Sequence, residues 1–296
     1  MKVFKNETYR RQVLDTYDTL LDLWGTPKQE RDIATFYGST HIITFGDESR
    51  PPLVLFHGVG DNSALMWLYN AKELSRHFCI YAIDTIGGPG KSRPNENYNK
   101  NFDDIRWIDE VLHALSLKQC HAAGVSHGAY LVQYYAAAYP ERFDKIVCMA
   151  GSLPVGTSSP MKNMMKIFLP EALFPNKKNT AKLLRKLSGK NSAVFTENAA
   201  LLEHYGYLLK GFNNMAMRHH KLPAFEEEQI RIMKKKALYL MGQEDPFVKL
   251  GAGASLHRYH MNAQFYPAAG HGINHEIADE INRALVEYLL CTEYSA

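Results

Sequence analysis

Short apolar runs separated by polar, turn-forming stretches set the rhythm of the first half of the chain. DIATFY, HIITFG, PLVLFHG and CIYAIDT have the length and the β-branched and aromatic content of strands. The last two are almost continuously apolar, which suits strands covered on both faces of a sheet. Between them SALMWLYNAKELSRH reads as a helix. FDDIRWIDEVLHALSL then places Ile105, Ile108, Val111, Leu112 and Leu115 on one helical face, with acidic residues early, where the helix dipole favours them. A strand QCHAAGV, a small-residue helix AYLVQYYAAAY stopped by Pro140, and a strand DKIVCMAG follow. This βαβαβ order predicts a mostly parallel, doubly wound α/β sheet. Ahead of it, Val13, Tyr17, Leu20, Leu21 and Trp24 recur at helical spacing.

The pattern changes at Ser152. From there to Met233 the periodicity is helical, the composition is rich in Met, Lys, Leu and Phe, and no strand pattern occurs. The alternation then resumes with KALYLMGQEDP, a Gly-rich helix GAGASLHRYH, the strand NAQFYPAAG and a final helix INHEIADEINRALVEYLL. The expected organisation is a core formed by residues 1–151 and 234–296, interrupted by a helical cap over residues 152–233. Neither internal repeats nor low-complexity segments are found.

Composition narrows the possibilities. With 46% hydrophobic and 22% charged residues over 296 positions, the chain is globular rather than disordered. A net charge of +3 supplies no basic surface for nucleic acid. The N-terminus carries charges where a signal peptide needs an apolar region, and no run of about 18 apolar residues supports a membrane span. Cys79, Cys120, Cys148 and Cys291 are too widely spaced for a disulfide framework or a zinc site, so they are expected as free thiols in the cytoplasm. No metal or organic cofactor is implied. GAGAS at Gly251–Ser255 lacks phosphate-loop spacing, and the His271/His275 pair has no third ligand motif beside it. His219, His220, His257 and His260 read as surface or cap residues.

The chemistry gathers on the turns. Ser126 stands in Gly124-Val-Ser-His-Gly128, between a strand and a helix. Such a turn strains the serine backbone, needs small neighbours, and lifts the hydroxyl above the sheet at the positive end of a helix. A serine becomes nucleophilic only when a base takes its proton. His271, between two glycines just past the last strand, is the candidate base. Asp245, directly after another strand in Gly242-Gln-Glu-Asp, is its candidate orienting carboxylate, with Glu244 as rival. An oxyanion needs preset donors. The backbone N–H of His127, after the serine, and that of Val59, after His57-Gly58, are the candidates.

His57-Gly58, Asp84-Thr-Ile-Gly87…Ser92, Gly124-x-Ser126-x-Gly128, Asp245 and His271 stand in the order and spacing of the α/β-hydrolase superfamily, which the chain resembles from about residue 30 onward. Two stretches depart from its pattern. Asp84-Thr-Ile-Gly-Gly-Pro-Gly-Lys-Ser92 has Ile86 in place of the usual arginine and one extra residue, and His127 replaces the usual Met, Leu or Gln. That loop, Met66-Trp67 and the leader YRRQVLDTYDTLLDLW resemble a bacterial carboxylesterase branch acting on aryl-propionate esters. The resemblance implies hydrolysis of small to medium hydrophobic esters through an acyl-enzyme on Ser126, with His271 as base then acid. Trp67, Met161, Met165, Phe168 and Met215, with Met164 and Met217, are candidates for an adaptable apolar pocket, or else simply pack the cap onto the core. Perhydrolysis, lactone, amide or carbon–carbon hydrolysis, and ligand sensing without turnover remain open alternatives. The expected partner is a small hydrophobic ester, and the expected state is monomer or homodimer.

Overall fold

The structure, a computed structural model, describes residues 2–156, 167–169, 171, 173–221 and 223–291. Its centre is one nine-stranded sheet: β1 (Lys28–Thr35), β2 (Gly38–Phe45), β3 (Pro52–Phe56), β4 (Cys79–Ile83), β5 (Arg93–Pro94), β6 (Cys120–Val125), β7 (Phe143–Met149), β8 (Ala237–Gly242) and β9 (Ala263–Tyr266). In space the order is β1-β2-β4-β3-β6-β7-β8-β9, with β5 paired to β2. From β4 to β9 the pairings are parallel, as the βαβ pattern predicts. The antiparallel part is an N-terminal hairpin, β2 pairing with both β1 and β4.

Alternate residues of the apolar strands enter two separate cores. Leu53 and Leu55 face the core shared with α1 (Glu7–Asp22), while Val54 and Phe56 face the one shared with α4 (Asp104–Ala114) and α5 (His127–Ala138). Period-2 alternation between two covered faces is why PLVLF contains no polar position. Between β7 and β8 the described residues hold only helices: α6 (Lys177–Leu187), α7 (Ala193–Thr196), α8 (Ala199–Gly211), a 3₁₀ turn (Asn214–Met217) and α9 (Glu227–Lys236). The leader helix docks on this insertion. Lys5 N donates to Gly211 O at 2.9 Å, and a Cβ on Gly211 would lie 2.6 Å from Tyr9 Cβ.

Two expected helices are each broken in two. SALMWLYNAKEL forms α2 (Ser63–Met66) and α3 (Ala71–Leu74), and INHEIADEI splits at Ile277 into a short turn (Ile273–Glu276) and a long helix (Ala278–Leu290). Buried amides account for both breaks. Asn70 Nδ2 donates to Asn274 O and Asn282 Oδ1, while Asn274 Nδ2 donates to Met66 O at 2.7 Å. Satisfying these groups inside the core outweighs continuing either helix.

Buried histidines join the elements in their neutral form. His204 on α8 accepts at Nε2 from Asn62 Nδ2, 3.0 Å, so its proton sits on Nδ1 and points to Thr16 Oγ1 at 2.7 Å. His275 Nε2 donates to Leu65 O at 3.0 Å. Desolvation lowers His204 from 6.5 to about 3 and His275 to about 4. A group depressed in the folded state stabilises above its unfolded pKa, and that contribution is lost as pH falls from about 6.5 toward the folded value. At pH 5 each of these two should have lost about 2 kcal/mol. Urea unfolding at pH 7 and pH 5 should therefore show a drop in stability that is about 2 kcal/mol smaller in His204→Gln. An equal drop in both proteins would refute this assignment.

Candidate active site

Ser126 sits between β6 and α5 at φ 53°, ψ −113°. This left-handed backbone is unfavourable for a residue with a Cβ and must be imposed by its surroundings. Two hydrogen bonds impose it: Ser126 N donates to Met149 O on the neighbouring strand at 2.8 Å, and its carbonyl accepts from Ala129 N at 3.0 Å. The flanking glycines answer steric need. A Cβ on Gly124 would lie 2.2 Å from the Gly128 carbonyl, and one on Gly128 would lie 2.2 Å from Phe56 O. The strand-to-helix turn that the pentapeptide predicts is present.

Asp245 and His271 come from adjoining loops beyond β8 and β9. Gln243 N bonds to Tyr266 O at 2.9 Å and Glu244 N to Ala269 O at 3.0 Å, so the two loops run side by side. Gly242 allows this, since a Cβ there would lie 2.3 Å from Ala269 O. Asp245 is fully buried; one carboxylate oxygen accepts from Phe247 N at 2.7 Å and the other from His271 Nδ1 at 2.8 Å. Glu244 instead pairs with exposed Lys249 at 2.7 Å, which removes it as a rival. Burial alone would lower the pKa of His271, but the charge and hydrogen bond of Asp245 more than offset it, and the imidazole is a stronger base than usual. The bond to Asp245 keeps a proton on Nδ1 and leaves Nε2 as acceptor. Ser126 Oγ does not hydrogen-bond to this nitrogen here; such bonds commonly tighten only when substrate is bound.

The insertion braces the histidine loop. His271 N donates to Leu187 O at 2.7 Å, and Lys190 N to Ala268 O at 2.8 Å. Glu276 links the two segments, accepting from Gly189 N at 2.7 Å and Gly270 N at 3.0 Å. Nothing in the sequence pattern singles out Glu276, because it reads as one more acidic residue early in a helix.

The loop after β3 lies against the serine. A methyl on Gly58 would sit 3.5 Å from Ser126 Cβ. Buried His57 fixes this loop, its Nδ1–H donating to Gly58 O at 2.8 Å and its Nε2 accepting from Thr85 N at 2.8 Å. Neither the Val59 N–H nor the His127 N–H is bonded to an acceptor among the described residues. The His127 imidazole is buried with an unpartnered Nε2, and it packs edge-on against His220 at 5.0 Å. His220, expected as a surface or cap residue, belongs to the inserted segment and is buried rather than on the surface. Its side chain is 2% exposed, bonded to Asp104 through Nδ1 and to Ile86 O at 2.8 Å through Nε2. Asp84 has a structural task, its oxygens taking Ser63 N at 2.9 Å and Lys91 N at 2.7 Å.

The family model described as the alpha/beta hydrolase fold matches residues 51–173. The solved structure of carboxylesterase CesB (YbfK) from Bacillus subtilis superposes with a TM-score of 0.79 over 96% of this chain and 99% of that one, at 22% identity. The chain has the α/β-hydrolase fold. In sequence, carboxylesterase YbfK of Bacillus subtilis is 34% identical over 134 residues, 45% of this chain and 45% of that protein. The uncharacterized carboxylesterase nap of the same organism is 35% identical over 127 residues, 43% of this chain and 42% of the relative. The matched stretches thus span less than half the length of either relative. A meta-cleavage product hydrolase from Pseudomonas fluorescens superposes with a TM-score of 0.70 over 87% of this chain and 96% of that one, at 23% identity.

Within this α/β-hydrolase fold, the expected pocket residues fare less well than the turns. Trp67, which ends α2, is fully buried in the core shared with α1, so it packs there. Met215 is 57% exposed on the 3₁₀ turn. Phe168 is half-buried, with no hydrogen bond or ring contact to Ser126, Asp245 or His271. Met161, Met164 and Met165 lie outside the described residues. The apolar groups that do border the site are Phe212, Ala216 and Met217, clustered against Val59, and Phe247, whose ring lies 4.9 Å from that of His271. Only Met217 among them stood out by residue type; Phe212 and Ala216 are brought in by the chain following α8, and Phe247 by its place two positions after Asp245. No helix among the described residues is long and apolar enough to cross a membrane.

Proposed function

We propose that the protein is a serine hydrolase that cleaves small to medium hydrophobic carboxylic esters. The observation that carries this reading is the pairing of a strained Ser126 turn with an Asp245–His271 bond of 2.8 Å, all three residues following the C-terminal ends of parallel strands. Both curated relatives are named carboxylesterases, which supports the ester as the bond attacked. In this reading His271 Nε2 takes the Ser126 proton as Oγ attacks the ester carbonyl. Asp245 stabilises the imidazolium, and the N–H groups of Val59 and His127 hold the oxyanion. His271 then protonates the departing alcohol, and the same steps run with water release the acid. Residues 152–233 act as a cap whose described helices cover the histidine loop. No cofactor enters the scheme, and the four free cysteines accord with a cytoplasmic setting.

A series of p-nitrophenyl esters from acetate to laurate, run beside labelling with a fluorophosphonate, tests this reading. Turnover should favour the shorter acyl chains. The phosphonate should add once per chain, on the peptide carrying Ser126, and should abolish turnover. A folded protein inert toward every ester and unlabelled at Ser126 would overturn the reading.

A further inference from the structure

Asp61 lies in the turn that carries Val59, closed by Asp61 N donating to Gly58 O at 3.3 Å. The point where a methyl on Gly58 would sit is 3.1 Å from Asp61 Oδ2 and 3.5 Å from Ser126 Cβ, so carboxylate and serine converge on one small volume. The other buried carboxylates near this face are all satisfied. Asp84, Asp104, Asp245 and Glu276 each accept two hydrogen bonds. Asp61 is half-buried and takes no hydrogen bond or ion pair among the described residues, so its carboxylate loses part of its hydration at a cost and gains no protein partner in exchange.

The cost shows in its acidity. Desolvation raises the carboxyl from 3.8 to about 7, against the opposing pull of His271. Tyr205 on α8 is close enough to feel the charge of Asp61; its phenol is raised first by burial and then by that charge, and its hydroxyl also has no described hydrogen-bond partner. The core loop thus presents Asp61 toward the serine, and the inserted segment presents Tyr205 toward Asp61.

We propose that Asp61 determines substrate choice by accepting a hydrogen-bond donor, a hydroxyl or an ammonium, carried by the ester close to its scissile carbonyl. This rests on Ser126 and His271 marking the reaction centre, as argued above. A donor-bearing ester satisfies the carboxylate, whereas a plain alkyl ester leaves it unpaired, and a site with an unpaired buried polar group discriminates against the analogue lacking the partner. A substrate carboxylate at this position is repelled once Asp61 is ionised, above about pH 7.

The test reads binding, so that it does not depend on turnover. Ser126→Ala protein is titrated calorimetrically with ethyl butyrate, ethyl 3-hydroxybutyrate and ethyl 4-aminobutyrate. At least one donor-bearing ester should bind at least about tenfold more tightly than ethyl butyrate. Adding Asp61→Ala should erase any such advantage, while Asp61→Asn, which keeps the shape, should retain one for the hydroxyl ester and lose one for the ammonium ester. Equal binding of all three, an advantage that survives Asp61→Ala, or no measurable binding by any ester overturns the proposal. Wild-type turnover of p-nitrophenyl butyrate is measured in parallel. A protein that selects donors through Asp61 yet hydrolyses no ester keeps this inference and overturns the esterase reading.

Discussion

Ser126→Ala should lower kcat toward p-nitrophenyl butyrate by about 10⁶-fold, with His271→Ala costing a similar factor. The double variant should be hardly slower than either single one, because nucleophile and base act as a unit and removing one already disables the other. What remains should still exceed the uncatalysed rate, since the Val59 and His127 N–H groups are backbone and survive both substitutions. Alanine in place of Ser126 keeps the Cβ that the φ of 53° already accommodates, so the fold should be unchanged. Steady-state kinetics with single-turnover controls read the rates, and thermal melting reads the fold. A Ser126→Ala protein with near wild-type turnover would refute Ser126 as nucleophile. Effects that simply multiply in the double variant would refute the coupling to His271.

Gly128→Ala should destabilise the protein by more than about 4 kcal/mol, although the position is helical and alanine is normally favoured there by about 1 kcal/mol. The reversal is steric. The new Cβ would lie 2.2 Å from Phe56 O and 2.8 Å from His57 O, both backbone atoms of β3 and the loop leading to Val59. Neither α5 nor β3 can retreat freely, because Ser126 N is bonded to Met149 O and β3 is paired on both edges. Any variant protein that folds should have lost the serine turn and the alignment of the Gly58–Val59 loop together. Urea unfolding measures the first effect and ester turnover the second. A stability equal to or above wild type would show that the turn has room that the structure denies it.

The residues most readable from the chain are those whose type and neighbours obey a local rule. Ser126 between two glycines at a strand-to-helix boundary is such a case: strain, close packing and helix start all act within five residues. Asp245 and His271 follow strand ends, so an element-by-element reading locates them, and their bond to one another only completes it. The parallel sheet follows the same logic, as each covered strand must be apolar on both sides. Local rules fail where a residue owes its place to a distant partner. SALMWLYNAKEL has helical periodicity throughout, yet Asn70 is drawn to Asn274 and Asn282, more than 200 positions away, and the helix stops. His220 reads as a surface or cap residue, and only the packing shows that Asp104 and the Ile86 carbonyl hold it in the interior. Trp67 and Met215 look alike as candidate pocket residues, yet one is enclosed by the core and the other turned outward.

Chain order, strand spacing and turn chemistry are therefore enough to establish the sheet, the inserted helical block and the three polar residues at its loops, because each follows from the periodicity or backbone strain of a short segment. Which groups surround those three depends on how segments far apart in the chain close over one another. Glu276 bracing the histidine loop, His204 tying α8 to α1, Phe212 and Met217 against Val59, and an unpaired Asp61 beside Ser126 all arise that way. Burial and hydrogen-bond satisfaction belong to the packed whole, and no five-residue window contains them.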